Sequence, residues 1–274
     1  MISKVLVATD GSEAAGNAER FGVEFAARMK AGLLGISVVE DRFARGFDED
    51  GLGVTPPPPE PLATYLSARA GAACGRLGGV AEERGVDYER EVASGVADDV
   101  IVDRGQAADL LVLGRDGQSA KHRSVALIGS TVSGVIRKTG KNALVAPASA
   151  ELSGPIVLAF DGSEGSRKGA KLAVAVATRL GEPIHVFVDS KDKGRAVARF
   201  DEVRGIVGTL PVPVREISST LGRPDVKIVD SAREVKAGLI VMGAFGRNRI
   251  NEYFLGSNAA AVVRTSPVAV LLAR

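Results

Sequence analysis

The sequence predicts an α/β protein built from two doubly wound domains, each with a five-stranded parallel sheet of strand order 3-2-1-4-5. Short apolar runs alternate with segments of helical periodicity along the whole chain of 274 residues. Strands this apolar are buried on both faces, as a parallel sheet covered by helices requires. The same pattern starts again near the middle of the chain, so the plan occurs twice.

The repeat is visible in the residues themselves. VLVATDGSEAAGNAERFGVEFAARM near the start reappears as IVLAFDGSEGSRKGAKLAVAVATRL after the midpoint. The run ADLLVLG, which ends at Gly114, matches AGLIVMG, which ends at Gly243. We therefore predict two domains, residues 1–150 and residues 151–274, called the first half and the second half below.

Each half contains five predicted strands separated by predicted helices. The first half has the strands KVLVAT, LLGISVV, DYEREV, DLLVLG and ALVAP, with helices over roughly 13–30, 63–84, 97–106 and 129–139. The second half has PIVLAF, PIHVFV, VPVREIS, GLIVMG and VAVLLA in the same order, with matching helices. The enrichment in β-branched residues supports the strand assignment.

An insertion distinguishes the first half from the second. Most of its extra residues lie in DRFARGFDEDGLGVTPPPPEP, residues 41–61. Four consecutive prolines exclude a helix or a central strand and favour an extended surface segment. Two interpretations stay open: a tolerated surface insertion, or a lid or partner-docking segment.

The composition excludes several classes of protein. With 35 basic and 33 acidic residues, 4% aromatics and no Trp, the chain shows no nucleic-acid surface. No run of about 18 apolar residues occurs, and MISKVLVATDGS leads directly into a strand without a basic leader. We expect no nucleic-acid partner, no membrane partner and a cytoplasmic location. The single Cys74 is interpreted as a packing residue.

The loop after the fourth strand of the second half, GAFGRNRINEYFLGSN, is rich in glycine. In the predicted strand order it lies beside the end of the first strand, where the winding direction reverses and ligand crevices form. Gly256, Ser257 and Asn258 open a helix, whose free N–H groups and dipole attract anions. Ser257 is expected to cap this helix.

On the other side of this crevice, Gly243 and Gly246 have no side chains that could project into it. We expect this to leave room for a sugar and its phosphates. Arg247 and Arg249 are close enough in sequence to supply counter-charge. Glycines in such a loop also occur in many proteins that bind no ligand. A purely geometric role therefore stays open at this point.

The spacing Gly243-x2-Gly246-x9-Gly256-Ser257 resembles the ATP-binding signature G-2x-G-9x-G-[S/T] of the universal stress protein family. The paired openings VATDGSE and LAFDGSE look like the first strand of that family. The resemblance covers essentially the whole chain in two copies, so the chain is similar to the tandem members of the family.

Two further glycines extend this resemblance. Gly95 and Gly222 lie where the G-x-[PA] turn of the family precedes the third helix. The resemblance implies a Rossmann-like fold that binds ATP, with Mg²⁺ bound through the phosphates as an option. It also implies that the Asp at the end of the first strand lies beside the adenine and that the glycine loop surrounds the ribose and the phosphates.

The resemblance assigns binding residues to both halves. In the family a backbone group of the second strand faces the base; Val38 fits that position, and Phe187 is a guess for the second half. The remaining residues are Asp161, Gly243, Gly246, Gly256 and Ser257 in the second half, and Asp10, Gly114, Gly117, Gly129 and Ser130 in the first.

The first half departs from the signature at its glycine loop. Eleven residues, QSAKHRSVALI, separate Gly117 from Gly129, where the signature has nine. A two-residue bulge would leave Gly129 and Ser130 in place, and we expect binding there as well. The charges of residues 121–123, KHR, fit either an anion site or a solvated surface.

No catalytic or metal-binding arrangement is recognisable in the sequence. There is no P-loop, and no G-x-G-x-x-G opens a helix after the first strand. His122 and His185 lack metal-ligand spacing, so no metal site is predicted. Ser12 and Ser163 of the DGSE segments are interpreted as helix caps, not nucleophiles.

These observations favour an ATP-binding regulatory or stress-response protein with little or no turnover. Two alternatives stay open: a slow ATPase or adenylate-transferring enzyme, and a scaffold that binds no nucleotide. The last strands of the halves, ALVAP and VAVLLA, are expected to pair within the chain, so that one chain imitates a dimer. A further homodimer also stays open.

Overall fold

The fold is described by a computed structural model that covers residues 2–40, 60–116, 128–208, 213–220, 222–245 and 255–274. The strands of the described residues are β1 Lys4–Ala8, β2 Gly32–Glu40, β3 Tyr88–Gly95, β4 Leu110–Gly114, β5 Asn142–Ala146, β6 Ile156–Ala159, β7 Ile184–Asp189, β8 Val214–Ser219, β9 Leu239–Gly243 and β10 Ala269–Ala273. The helices are α1 Glu13–Met29, α2 Glu60–Glu83, α3 Ala97–Gly105, α4 Ser130–Lys138, α5 Glu164–Leu180, α6 Lys193–Val207, α7 Pro224–Glu234 and α8 Ser257–Thr265.

These strands form one sheet with the order β3-β2-β1-β4-β5-β10-β9-β6-β7-β8. Each half has the predicted order 3-2-1-4-5, and its strands pair in parallel. The registers agree between the halves: Ala8 lies opposite Ile36, and Ala159 lies opposite Phe187. The predicted fold class is therefore confirmed.

The two halves join through their last strands. β5 and β10 pair antiparallel, with Val145 opposite Val270 and Leu144 opposite Leu271. This is the pairing that the sequence led us to expect, and it satisfies one sheet edge of each half. β3 and β8 are left as the outer edges of the sheet.

Two arginines of the first half add hydrogen bonds across this junction. Arg28 donates from Nη1 to the carbonyl oxygen of Leu152 at 3.0 Å and from Nη2 to that of Leu180 at 2.5 Å. Arg115 donates from Nη1 to the carbonyl oxygen of Ser266, just after the end of α8, at 2.6 Å. A cation there also complements the negative end of the helix dipole.

Helices cover both faces of the sheet. One face buries apolar side chains of α1, α2, α5 and α6, including Phe25, Leu77 and Val176. The other face buries those of α3, α4, α7 and α8, including Ile136 and Val262. No helix in the described ranges has the length and apolar character needed to cross a bilayer.

The turns that follow β1 and β6 have the same construction. Gly11 and Gly162 have φ of +73° and +77°, a conformation that favours glycine. Ser12 then caps α1, because its Oγ accepts the amide of Ala15 at 3.1 Å. Ser163 caps α5 in the same way. The interpretation of these serines as caps is confirmed.

One boundary differs from the sequence prediction. The extended segment was predicted to run from 41 to 61, but Glu60 and Pro61 already belong to the first turn of α2. Proline is tolerated there, because the first amides of a helix have no partner within the helix. Residues 41–59, with the four prolines, lie outside the described residues.

Candidate functional site

A cleft of about 280 Å³ opens at the carboxyl ends of three strands of the second half. The strands are β9, β6 and β7, with β6 in the middle. From β6 the chain winds to one side through β7 and to the other side through β9, so the cleft lies at the reversal point of the winding. This is the position predicted for the site.

Asp161 lines this cleft at the end of β6. Its Oδ1 accepts the amide of Ser163 at 2.9 Å, which fixes the turn between β6 and α5. Asp10 makes the same bond to the amide of Ser12 in the first half, also at 2.9 Å. The two aspartates therefore occupy matching positions, as the repeat predicted.

The amino end of α8 forms another part of the cleft wall. Gly256 is the N-cap residue, with φ of −56° and ψ of 140°, and no side chain caps the helix. The prediction that Ser257 caps α8 is wrong, because Ser257 is already the first helical residue. The first amides of α8 therefore carry no side-chain cap, which favours an anion in front of them.

The two glycine loops close in the same way despite their different lengths. In the second half the amide of Gly256 donates to the carbonyl oxygen of Ala244 at 2.9 Å. In the first half Gly129 donates to the carbonyl oxygen of Arg115 at 3.3 Å, and it is the N-cap of α4 without a side-chain cap. The longer loop thus leaves Gly129 and Ser130 in the expected place.

Gly243 lines the cleft, and its lack of a side chain also serves packing within the protein. A Cβ added to it would lie 2.7 Å from the carbonyl carbon of Gly165 and 2.9 Å from the amide nitrogen of Ser166. The missing side chain is therefore needed for the close approach of α5 to the end of β9. In the first half, a Cβ on Gly114 would meet Ala18 Cβ at 3.3 Å, which is a looser contact.

The comparisons with known proteins agree with this geometry. The model of the universal stress protein family matches residues 1–147 and residues 153–274. The chain belongs to the universal stress protein family. The two matches lie on either side of residue 150, and the exact domain boundary stays a prediction.

Individual members of the universal stress protein family show the same relationship. A universal stress protein from Synechocystis sp. is 26% identical over 168 residues, which are 61% of this chain and 58% of that protein. One from Thermus aquaticus is 34% identical over 133 residues, 43% of this chain and 97% of that protein. The crystal structure of one from Archaeoglobus fulgidus has a TM-score of 0.77 at 20% identity, with 99% of this chain and 98% of that chain covered, and supports the fold.

Two glycines of the family signature and the basic residues predicted near them lie outside the described residues. They are Gly117, residues 121–123, Gly246, Arg247 and Arg249. The structure brings Asp161, Gly243, Gly256, Ser257 and Asn258 together around the second-half cleft. The first half has the corresponding arrangement. Asp10 follows β1, Gly114 ends β4, and α4 begins with Gly129 and Ser130.

The residue that corresponds to Val38 in the second half is Asp189, not Phe187. Phe187 lies opposite Ala159, just as Ile36 lies opposite Ala8. Counting two residues onward in each strand brings Val38 and Asp189 to the same position. The choice of Phe187 by sequence was therefore shifted by two residues, although its side chain does line the cleft.

Sequence reasoning missed two polar residues of this universal stress protein site, Asp189 and Arg199, both of which line the cleft. Arg199 lies on α6, is only 8% exposed and donates from Nη1 to the carbonyl oxygen of Asp189 at 2.9 Å. Asp189 was detectable by aligning the second strands of the two halves. Arg199 lies on a helix whose position over the sheet only the tertiary structure decides.

Another arginine stands behind the cleft wall. The guanidinium of Arg274 lies 4.2 Å from the ring centroid of Phe245, a cleft residue. Burial lowers the pKa of Arg274 to about 10, so it stays charged at neutral pH. Its Nη2 is buried and has no hydrogen-bond partner among the described residues. The cation favours anions nearby.

The turn of the first half is held by an ion pair between a buried carboxylate and a partly exposed arginine, which the second half lacks. Glu19 is 1% exposed, and its Oε1 lies 2.6 Å from Nη2 of Arg76. The hydrogen bond to Glu19 raises the pKa of Arg76. Arg76 also donates to the carbonyl oxygen of Gly11 at 3.2 Å. The corresponding residue to Glu19 in α5 is Ala170, which is buried without charge.

Proposed function

We propose that this protein is an ATP-binding regulatory or stress-response member of its family, with little or no turnover of the nucleotide. The observation that carries the proposal is the cleft at the reversal point of the winding, where Asp161 and the uncapped amino end of α8 line one cavity. A nucleotide offers a base and an anionic phosphate group, which suit these two parts of the cleft.

The choice of residue at the start of each helix supports this proposal. α1, α5 and α6 begin with the side-chain caps Ser12, Ser163 and Asp192. α3 and α7 also lack a side-chain cap, with Val96 and Arg223 at their N-cap positions. Among the helices whose N-cap residue is described, α4 and α8 are the ones that begin at a glycine, Gly129 and Gly256, without such a cap. A capping side chain would stabilise these helices, but it would occupy the amides that a phosphate needs. The two glycines therefore favour ligand binding over helix stability.

The start of α4 supports a phosphate site in the first half as well. Among the described residues, the atom nearest to a Cβ added to Gly129 is the Arg115 carbonyl oxygen at 3.6 Å, which is an ordinary contact. Packing against the described residues therefore does not demand glycine at this position. The described residues contain no group of three or more His, Cys, Asp or Glu able to hold a metal ion. Any Mg²⁺ is therefore proposed to bind through the nucleotide phosphates.

Release of bound nucleotide tests the proposal. The purified protein is denatured by heat, and the supernatant is analysed by chromatography. We expect about one to two equivalents of ATP or ADP per chain, since one site is proposed in each half. Calorimetric titration of nucleotide-free protein with ATP and Mg²⁺ then counts the sites. An empty supernatant with no binding heat would instead favour the scaffold, and steady phosphate release would favour a slow ATPase.

A matched pair of variants assigns the sites. Gly129→Val and Gly256→Val each place a branched side chain in front of one helix, so each should remove one site and leave the other. Circular dichroism checks that both variants are folded. If Gly256→Val is folded and binds ATP at both sites with unchanged affinity, the second-half loop is only a turn and the proposed site is wrong.

A further inference from the structure

Arg115 lies at the start of the first-half glycine loop, directly after Gly114, the last residue of β4. Its amide donates to the carbonyl oxygen of Ala146 at 2.9 Å, and its own carbonyl oxygen accepts the amide of Gly129 at 3.3 Å. Two main-chain hydrogen bonds therefore fix Arg115 between the end of β5 and the start of α4. The residue belongs to the frame of the first-half site.

The side chain of Arg115 crosses the junction to the second half. Nε and Nη2 donate to the carboxylate of Asp116, each at 3.2 Å, and this fork sets the plane of the guanidinium. Nη1 donates to the carbonyl oxygen of Ser266 at 2.6 Å and to that of Arg264 at 3.4 Å. These carbonyl groups lie at the carboxyl end of α8, where the helix itself supplies no donors.

The same helix has the proposed phosphate site at its other end. α8 has nine residues, so its two ends are about 13 Å apart. Val262 and Val263 are buried beneath it, so the helix is packed as one short rigid piece. A shift at the carboxyl end therefore also moves the amides at the amino end. Hydrogen bonds weaken steeply outside their preferred distances and angles, so phosphate binding should be sensitive to such a shift.

The fold does not require an arginine at this position. The residue after the matching glycine of the second half is Ala244, whose side chain has no donor. Its main chain makes the same two bonds: its amide donates to Ala273 at 3.0 Å, and its carbonyl oxygen accepts the amide of Gly256 at 2.9 Å. The main-chain arrangement thus forms with alanine as well. The contact with the other half is an addition that the side chain of Arg115 makes.

We propose that Arg115, a residue of the first half, is a positioning residue for the nucleotide site of the second half. It holds the carboxyl end of α8, so that the amides at the amino end of α8 meet the phosphate. The proposal rests on the proposed nucleotide binding. Its positive charge complements the negative end of the helix dipole, and a phosphate complements the positive end. The second-half site is therefore incomplete without the first half.

The experiment measures ATP affinity by calorimetry in the full chain with Gly129→Val, so that the titration reports the second-half site. Adding Arg115→Met removes the charge and the donors but keeps an apolar stem, and ATP affinity should fall at least about threefold. Arg115→Lys keeps a cation and a donor, so it should recover most of this loss. Circular dichroism checks the fold, and Arg115→Gln replaces the methionine variant if that variant does not fold.

Arg28→Met is the matched control. Arg28 also crosses the junction and donates to a carbonyl oxygen at a helix carboxyl end, that of Leu180 in α5, at 2.5 Å. The amino end of α5 is already capped by Ser163, so no phosphate depends on its amides. ATP affinity should therefore stay within about twofold of that of the parent, the chain with Gly129→Val alone.

The outcomes separate this proposal from the proposed function. If the parent binds ATP and the folded methionine or glutamine variant binds it equally well, Arg115 does not position α8 for the ligand. Equal weakening by Arg28→Met would assign the effect to a loosened junction and overturn the proposal. No recovery in Arg115→Lys would overturn it too. If the parent itself binds no ATP, the proposed second-half site is wrong, and the proposal for Arg115 is wrong with it.

Discussion

Gly243 and Gly165 bring the end of β9 and the start of α5 into backbone contact: a Cβ on Gly243 would lie 2.7 Å from the carbonyl carbon of Gly165. The contact fixes the height of α5 over the sheet, and with it the position of Ser163 and Asp161 beside the cleft. The signature glycine that precedes the loop therefore shapes the cleft through packing.

Gly243→Ala should destabilise the protein because the neighbouring atoms belong to the backbone and cannot rotate away. Overpacking of this kind costs about 1 to 3 kcal/mol. The matched control is Gly114→Ala, whose Cβ would meet the Ala18 side chain at 3.3 Å and should cost less. Chemical denaturation of both variants measures the difference. If both variants lose the same free energy of unfolding, the close approach of Gly243 to Gly165 does not limit the side chain at this position.

Gly256→Asp should change stability and binding in opposite directions. An aspartate at the N-cap accepts amides of α8 and complements the helix dipole, which should add about 0.5 to 1 kcal/mol to the free energy of unfolding. The same carboxylate repels a phosphate, so ATP affinity should fall at least about tenfold. Thermal unfolding and calorimetry report the two effects.

The control is Gly256→Asn, which has nearly the same shape but no charge. It should also stabilise α8, by a few tenths of a kcal/mol, and weaken ATP less than the aspartate does. If the two variants weaken ATP equally, charge repulsion does not explain the loss, and the α8 amides are not the anion site.

Arg76→Met should destabilise the first half by leaving Glu19 as a buried carboxylate without its cation. Removing one partner of a buried ion pair costs about 3 to 5 kcal/mol, and the partial exposure of Arg76 places the loss toward the lower end. Lys138→Met is the control, because Lys138 pairs with Asp98 and Asp99 at the surface, where such pairs contribute about 0 to 1 kcal/mol. Similar unfolding curves for the two variants would contradict this account of Glu19.

His185 should make the protein less stable in mild acid. The side chain is 6% exposed, and burial, with the charge of Arg215, lowers its pKa in the folded chain. Unfolded histidine titrates near a pKa of about 6.5. The unfolded state therefore binds more protons below that pH, so stability is complete above about pH 6.5 and falls as the pH drops.

The test variant is His185→Leu, since Leu34 has the same position in the first half. Denaturant unfolding at about pH 7.5 and about pH 5.5 measures how much the free energy of unfolding falls between the two pH values. The fall should be larger for the wild type than for the variant, by up to about 1.4 kcal/mol. The same pH dependence in both proteins would assign the acid sensitivity to other groups.

Sequence reasoning was most successful where the signal is local or repeated. The strand order, the caps Ser12 and Ser163 and the pairing of the last strands all follow from apolar runs, the DGSE turn and the repeat. It failed at Ser257, because one-residue differences in where a helix begins depend on backbone angles. It also failed at Phe187, although the offset between Asp10 and Asp161 in the repeat already takes Val38 to Asp189.

The sequence by itself determined the doubly wound plan, its duplication and the set of residues at the strand ends, because hydrophobic periodicity and turn chemistry act between neighbours along the chain. Only the tertiary structure decided what those residues touch. Gly243 meets Gly165 through packing of α5, and Arg199 reaches the cleft because α6 crosses β7 at that point. Such contacts join residues far apart in sequence, and the distances between their atoms depend on how the helices pack on the twisted sheet.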